Sequence, residues 1–265
     1  MSQTTEPMNC GITFLSDNLV LDAELSLTTG SENIQFPLKN LQNVSTARKF
    51  RSDGNDVVIV IDLQQTRSFN AIAVMGDATG QFGITNMSFK TSVTTDFSMS
   101  TAQTIPYNAS QNMGYLFFTT EARRYVEITF TGSGSFVEVG AIFLAERIEL
   151  PQNNLSTGSF KYINRDPSKV SKNRYSQRFI DELPLVKMLS GALQYCTVEE
   201  QFELDELFIK HGIHEPLFMV VDQDGAGMTE GQYKLSIYGY ITKTPQWSAS
   251  GGQLWNTSIE VEEAI

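Results

Sequence analysis

Short apolar runs separated by polar turns fill the first 150 residues, and no helical period of useful length interrupts them. Val57-Val58-Ile59-Val60-Ile61-Asp62-Leu63 is a nearly continuous β-branched run, the pattern of a strand covered on both faces. A second run, 69–75, follows after a short polar turn, and 87–93, 115–119, 124–130 and 136–146 add others of strand length. Within them Tyr125, Glu127 and Thr129 alternate with Val126, Ile128 and Phe130, the two-residue period of a half-buried strand. The pattern predicts a β-sandwich or jelly roll.

Residues 150–158 form a polar connector, and the domain boundary is expected there, dividing the chain into 1–150 and 151–265. The second part changes character. Runs 179–183 and 186–195 read as strands. Thr197-Val198-Glu199-Glu200 then matches a capping box, which predicts a helix over 198–210 with Gly212 as its stop. Leu204, Leu207, Phe208 and His211 share one face of that helix, with Val198, Phe202 and Ile209 beside it. Strands are expected again at 217–221, 232–241 and 254–262, with a turn at 222–225. The fold class expected is mainly β: an N-terminal jelly-roll sandwich, then a β-sheet or barrel domain packed with one helix.

Composition adds less than pattern. Charged residues are only 18% of the chain, below the roughly 25% of an average soluble domain, and Ser, Thr, Asn and Gln fill the gap. The net charge of −11 argues against general binding of nucleic acid, which requires a surplus of Lys and Arg at the phosphates. The polar N-terminus lacks the features of a signal peptide, and no apolar run approaches the roughly 20 residues of a membrane helix. Cys10 and Cys196 lie far apart and are expected to be reduced thiols of a protein made in a cytoplasm.

Four stretches carry a resemblance. Asn40-Leu41, Arg48-Lys49-Phe50-Arg51-Ser52, the run ending Ile61-Asp62-Leu63, and Phe69-Asn70-Ala71-Ile72-Ala73-Val74 together resemble the galactose-binding-like (discoidin, or F5/8 type C) jelly roll, particularly versions in phage virion proteins. The likeness covers about residues 12–148. It implies that any sugar or lipid site lies in loops at one end of the barrel. The second part, with its strands at 178–195, the helix, HEPLFMVVD at 214–222, YKLSIYGYIT at 233–242 and SIEVEEA at 258–264, is similar to the hub domains of phage distal tail and minor tail proteins. That resemblance implies a homo-oligomeric ring in the virion tail, made in the host cytoplasm and joined to other tail proteins. Distal tail proteins place the hub first; here the order is reversed.

Candidate chemistry is sparse. No nucleophile elbow, P-loop or glycine-rich dinucleotide turn occurs, so no catalytic residues and no cofactor are expected, although paired carboxylates of a carbohydrate-active enzyme have no sequence signature. His211 and His214 are separated by Gly212, which favours a helix-terminal His over a metal pair. Asp222, Asp224 and Glu230 only partly follow a calcium loop, and Asp53-Gly54-Asn55-Asp56 reads as a turn before a strand, with a metal site as the lesser alternative. For ligand binding the candidates are Arg48, Arg51 and Tyr107, which suit an anion or the hydroxyls of a host-surface glycan. Lys161, Arg165, Lys169, Lys172, Arg174 and Arg178, against the single Asp166, form a basic strip that suits docking to an acidic neighbouring subunit or, equally, a solvated loop. The leading expectation is a ring-forming tail component with a projecting sandwich, with no membrane and no sequence-specific nucleic-acid partner. The alternatives are a lectin-like carbohydrate-binding protein and a capsid decoration protein.

Overall fold

The computed structural model describes residues 11–76, 83–151, 160–172, 174, 177–183, 185–222 and 233–264. The first part of the chain contains β1 (Gly11–Leu15), β2 (Glu24–Thr29), a 3-10 turn (Leu38–Gln42), β3 (Phe50–Arg51), β4 (Asp56–Met75), β5 (Ile84–Ser92), β6 (Gln103–Thr104) and β7 (Tyr107–Asn108). β8 (Met113–Gly132), β9 (Glu138–Val139), β10 (Ala141–Ala145) and β11 (Arg147–Pro151) follow. Beyond the connector come β12 (Lys161–Arg165), β13 (Lys169–Lys172), β14 (Arg178–Asp181), β15 (Val186–Cys196) and α1 (Val198–His211). The last strands are β16 (Leu217–Asp222), β17 (Ser236–Ile241), β18 (Ser248–Gly251) and β19 (Leu254–Glu263). The chain is mainly β, a jelly-roll sandwich joined to a sheet on which α1 packs.

The sandwich is built on two 20-residue strands. The runs 57–63 and 69–75, expected as separate strands, are one strand, β4, paired with β8 on both sides of a register shift between Asp62 and Arg67. The polar residues between the two runs face solvent while Arg67 and Ser68 keep their partners Arg123 and Ala122, so polarity marks a bulge rather than a turn. Val57, Ile59 and Ile61 face the same core as Phe69, Ile72 and Val74. The sheet therefore folds over on itself at the bulge.

Sheet membership does not follow the expected division at residue 150. β1 pairs with β11 on one side and β16 on the other, and the large sheet runs β11-β1-β16-β17-β19-β15-β12. The sandwich is thus held between the two N-terminal contributions to a sheet whose remaining strands come from the end of the chain. The connector could not reveal this, because strand pairing between Gly11 and Asp222 leaves no local trace.

Both faces of the large sheet are covered. Ile12, Phe14, Leu189, Met219, Ile237 and Val261 meet Leu204, Leu207 and Phe208 of α1. On the opposite face Leu15, Phe218, Val220 and Tyr238 meet Ala71, Ala73, Ala141, Ala145 and Phe143 from the outside of the sandwich. The small residues let the sandwich approach closely, and alternation along each strand sends neighbouring side chains into different cores. Lys187 is buried at this junction. Its ammonium donates to the carbonyl of Ser236 at 2.6 Å and that of Tyr233 at 3.3 Å, and lies 3.5 Å from Gln111 Oε1 of the sandwich. No helix among the described residues is long and apolar enough to cross a membrane.

Candidate ligand-binding end of the jelly roll

Three segments lie side by side at one end of the sandwich. The backbone amide of Asn33 donates to Arg51 O, that of Arg51 to Phe36 O, and that of Asp53 to Ser31 O, which lays 31–36 along 51–53. β3 pairs with β9, which brings Glu138 opposite Arg51. Polar locks position these segments, two of them local in sequence and one, between Ser52 and Val137, spanning 85 residues. Asn40 Nδ2 donates to Lys49 O at 2.8 Å, Leu38 N to Glu32 Oε2 at 2.6 Å, and Val137 N to Ser52 Oγ at 2.8 Å. Leu41 and Phe50 anchor the same loops in the core. Asn40, Leu41, Phe50 and Ser52 all belong to the stretches that carry the galactose-binding-like resemblance.

The Arg51 guanidinium carbon is 4.7 Å from the ring centroid of Phe36 and 4.5 Å from that of Phe136. Beneath it the fully buried Glu138 accepts from Arg51 Nε at 2.6 Å and faces Lys49 Nζ at 2.9 Å. Two cations meet on this one carboxylate, Arg48 is exposed, and Glu32 and Asp53 bring two further carboxylates to the same loops. Glu138 Oε2 has no protein hydrogen-bond partner. Asn33 Nδ2 donates to Asp53 Oδ1 at 3.1 Å, so these two exposed polar groups are oriented beside the platform. Such an arrangement can offer apolar ring edges and a fixed fork of N–H donors to one ligand.

Of the three residues expected to bind ligand, Arg51 is the centre of this cluster and Arg48 stands on its exposed side. Tyr107 is elsewhere: it lies on β7, pairs with Gly114 and packs half-buried against the sandwich core, where burial raises its phenol pKa. Phe36, Phe136 and Glu138 were not anticipated. The signal for Glu138 was present, a single acid inside the apolar run 136–145, but nothing local ties it to Arg51, 87 residues away.

The basic strip is resolved into two elements. Lys161 and Arg165 sit on the edge strand β12, with Arg165 paired to Glu262 at 2.7 Å. Lys169, Lys172 and Arg178 sit on the separate two-stranded hairpin β13–β14, and Arg174 lies at its turn. All are exposed. At the end of α1, Gly212 has φ 53° and separates His211 from His214, and no metal-binding group of three or more His, Cys, Asp or Glu occurs among the described residues. His211 is buried with neither ring nitrogen hydrogen-bonded to protein, and burial lowers its pKa, so desolvation outweighs the helix dipole that favours a charged terminal His. Residues 223–230, including Asp224 and Glu230, and Cys10 lie outside the described residues.

No known family model matches the sequence, and no curated protein does. Solved carbohydrate-binding modules are similar to about half of the chain. A galactose-bound family 32 module from Clostridium perfringens is 16% identical, with a TM-score of 0.41, over 51% of this chain and 99% of its own. Another from that organism, in complex with GalNAc-β-1,3-galactose, is 13% identical with a TM-score of 0.41, over 49% of this chain and 99% of its own. A chitosan-binding module from a Paenibacillus chitosanase/glucanase is 13% identical with a TM-score of 0.40, covering 49% of this chain and 98% of that module.

Proposed function

We propose that this chain is a non-catalytic binding protein whose jelly roll takes carbohydrate on the Arg51 platform. The observation that carries this reading is the guanidinium stacked between Phe36 and Phe136 and anchored by a buried carboxylate. A pyranose presents C–H edges suited to aromatic rings and hydroxyls suited to a guanidinium. Because the platform is held by protein contacts in advance, little side-chain freedom is lost when ligand arrives.

A glycan array followed by calorimetry tests this, with galactose, GalNAc-β-1,3-galactose, chitosan oligomers and acidic sugars as probes. Phe136→Ala and Arg51→Lys are each expected to weaken binding at least about tenfold, a loss of about 1.4 kcal/mol. Lysine keeps the charge and loses the planar fork. An array with no bound glycan, or binding indifferent to both substitutions, rejects the platform.

A different observation favours a second and compatible role, a component of a tailed-phage virion that joins copies of itself or neighbouring tail proteins. The β13–β14 hairpin extends from the sheet edge with basic and large apolar side chains exposed. Light scattering on the full chain tests its self-joining part: a discrete oligomer supports it, and a monomer at all concentrations removes it.

A further inference from the structure

Two exposed surfaces of this chain are apolar and opposite in charge. The first is one face of the β13–β14 hairpin. Cross-strand register puts Val170 opposite Ile180 and Lys172 opposite Arg178, and the two-residue period places all four on the same side. An isolated two-stranded ribbon is marginal in water, yet Ile180 is 58% exposed and Phe179, on the other side, 56%. Lys172 and Arg178 directly opposed are like charges that weaken the bare hairpin, so an acidic partner would strengthen it.

The second surface is the outer side of α1. Phe202, Glu206 and Ile209 follow one another at helical spacing, and Ile213 continues the line past the helix end. Phe202 is 64% and Ile209 82% exposed. Glu199, Glu203 and Glu206 are exposed around them, and the helix carries five acidic residues against Lys210. Its opposite side is already used, with Leu204, Leu207 and Phe208 in the core.

We infer that the Val170–Ile180/Lys172–Arg178 face of one copy docks on the Phe202–Ile209 face of α1 in a second copy. The hairpin emerges where β12 meets β15, at the Arg165–Val186 end, whereas α1 begins past Cys196 at the other end of β15. The two surfaces differ, so the contact is heterologous and each copy retains a free hairpin and a free helix for further copies. Apolar groups supply the attraction, and the charges select the partner and the register. The inference deepens the self-assembly reading by naming its contact and is independent of the carbohydrate platform.

The test is sedimentation of the full chain with charge reversals on each surface. The unaltered chain is expected to self-associate, and K172E/R178E and E203K/E206K are each expected to reduce it to monomer. Mixing the two variants is expected to restore association, and so is combining all four substitutions in one chain, which local damage to either surface would not allow. An unaltered chain that stays monomeric overturns both this contact and self-assembly. An oligomer insensitive to both reversals overturns this contact alone.

Discussion

At Arg51 and at Lys187 the same physics, a cation out of water, is resolved in two ways. Arg51 meets a carboxylate that is itself buried, while the two cations on Glu138 still reach solvent. Glu138→Gln removes the anion between them, and is expected to lower stability by about 1–3 kcal/mol in denaturant unfolding. An unchanged midpoint would show that the pair positions Arg51 without stabilising the fold. Lys187 has carbonyl partners but little solvent, and burial pushes its pKa down to about 8, only partly offset by Glu263. The unfolded chain binds that proton more tightly, so between about pH 8 and 10.5 stability rises with pH, by on the order of 3 kcal/mol over the full window. Lys187→Met should flatten this slope in thermal melts taken across that range, whatever it does to stability at pH 7. A slope that persists would assign the effect to other groups.

Elements differ in how much of their cause is local. α1 was legible because its signals lie within its own residues: Thr197 accepts from Glu200 N, Glu200 Oε2 accepts from Thr197 N at 2.7 Å, and Gly212 closes the helix at positive φ. Thr197→Ala is expected to cost about 1 kcal/mol, read as a shift in the urea midpoint. The β17–β19 pairing is set by a neighbour. Gly239 lies opposite Glu263, and a Cβ there would collide with the carbonyl of Glu262. Gly239→Val should therefore destabilise the chain more than Thr197→Ala does, a ranking that the same titration checks. The hairpin β13–β14 had no comparable signature, since its basic residues suit a solvated loop equally well. Long-range pairing also fused 57–63 with 69–75, where the polar residues between them had suggested a chain reversal.

For the whole molecule, the helix, the large sheet and the folded-over sandwich stack through two interfaces, and β1 lies between β11 and β16. A fragment starting at residue 151 would lack β1 and the inner partner of β16, and would expose Phe218, Val220 and Tyr238 to water. It is expected to be protease-sensitive and to lack cooperative unfolding, whereas residues 16–146 retain a complete core of their own and should fold. A cooperative melt from the 151–265 fragment would overturn the dependence on β1. Apolar alternation, β-branched runs and the capping box determined from sequence alone that this chain is mainly β, a sandwich and a sheet with the helix α1, because each of those patterns acts over a few residues. Only the tertiary structure decided that β1 belongs to the far sheet, that Phe36 and Phe136 enclose Arg51, and that Tyr107 belongs with the core. Those outcomes depend on pairings across tens to hundreds of residues, which chain closure and packing select and no local pattern encodes.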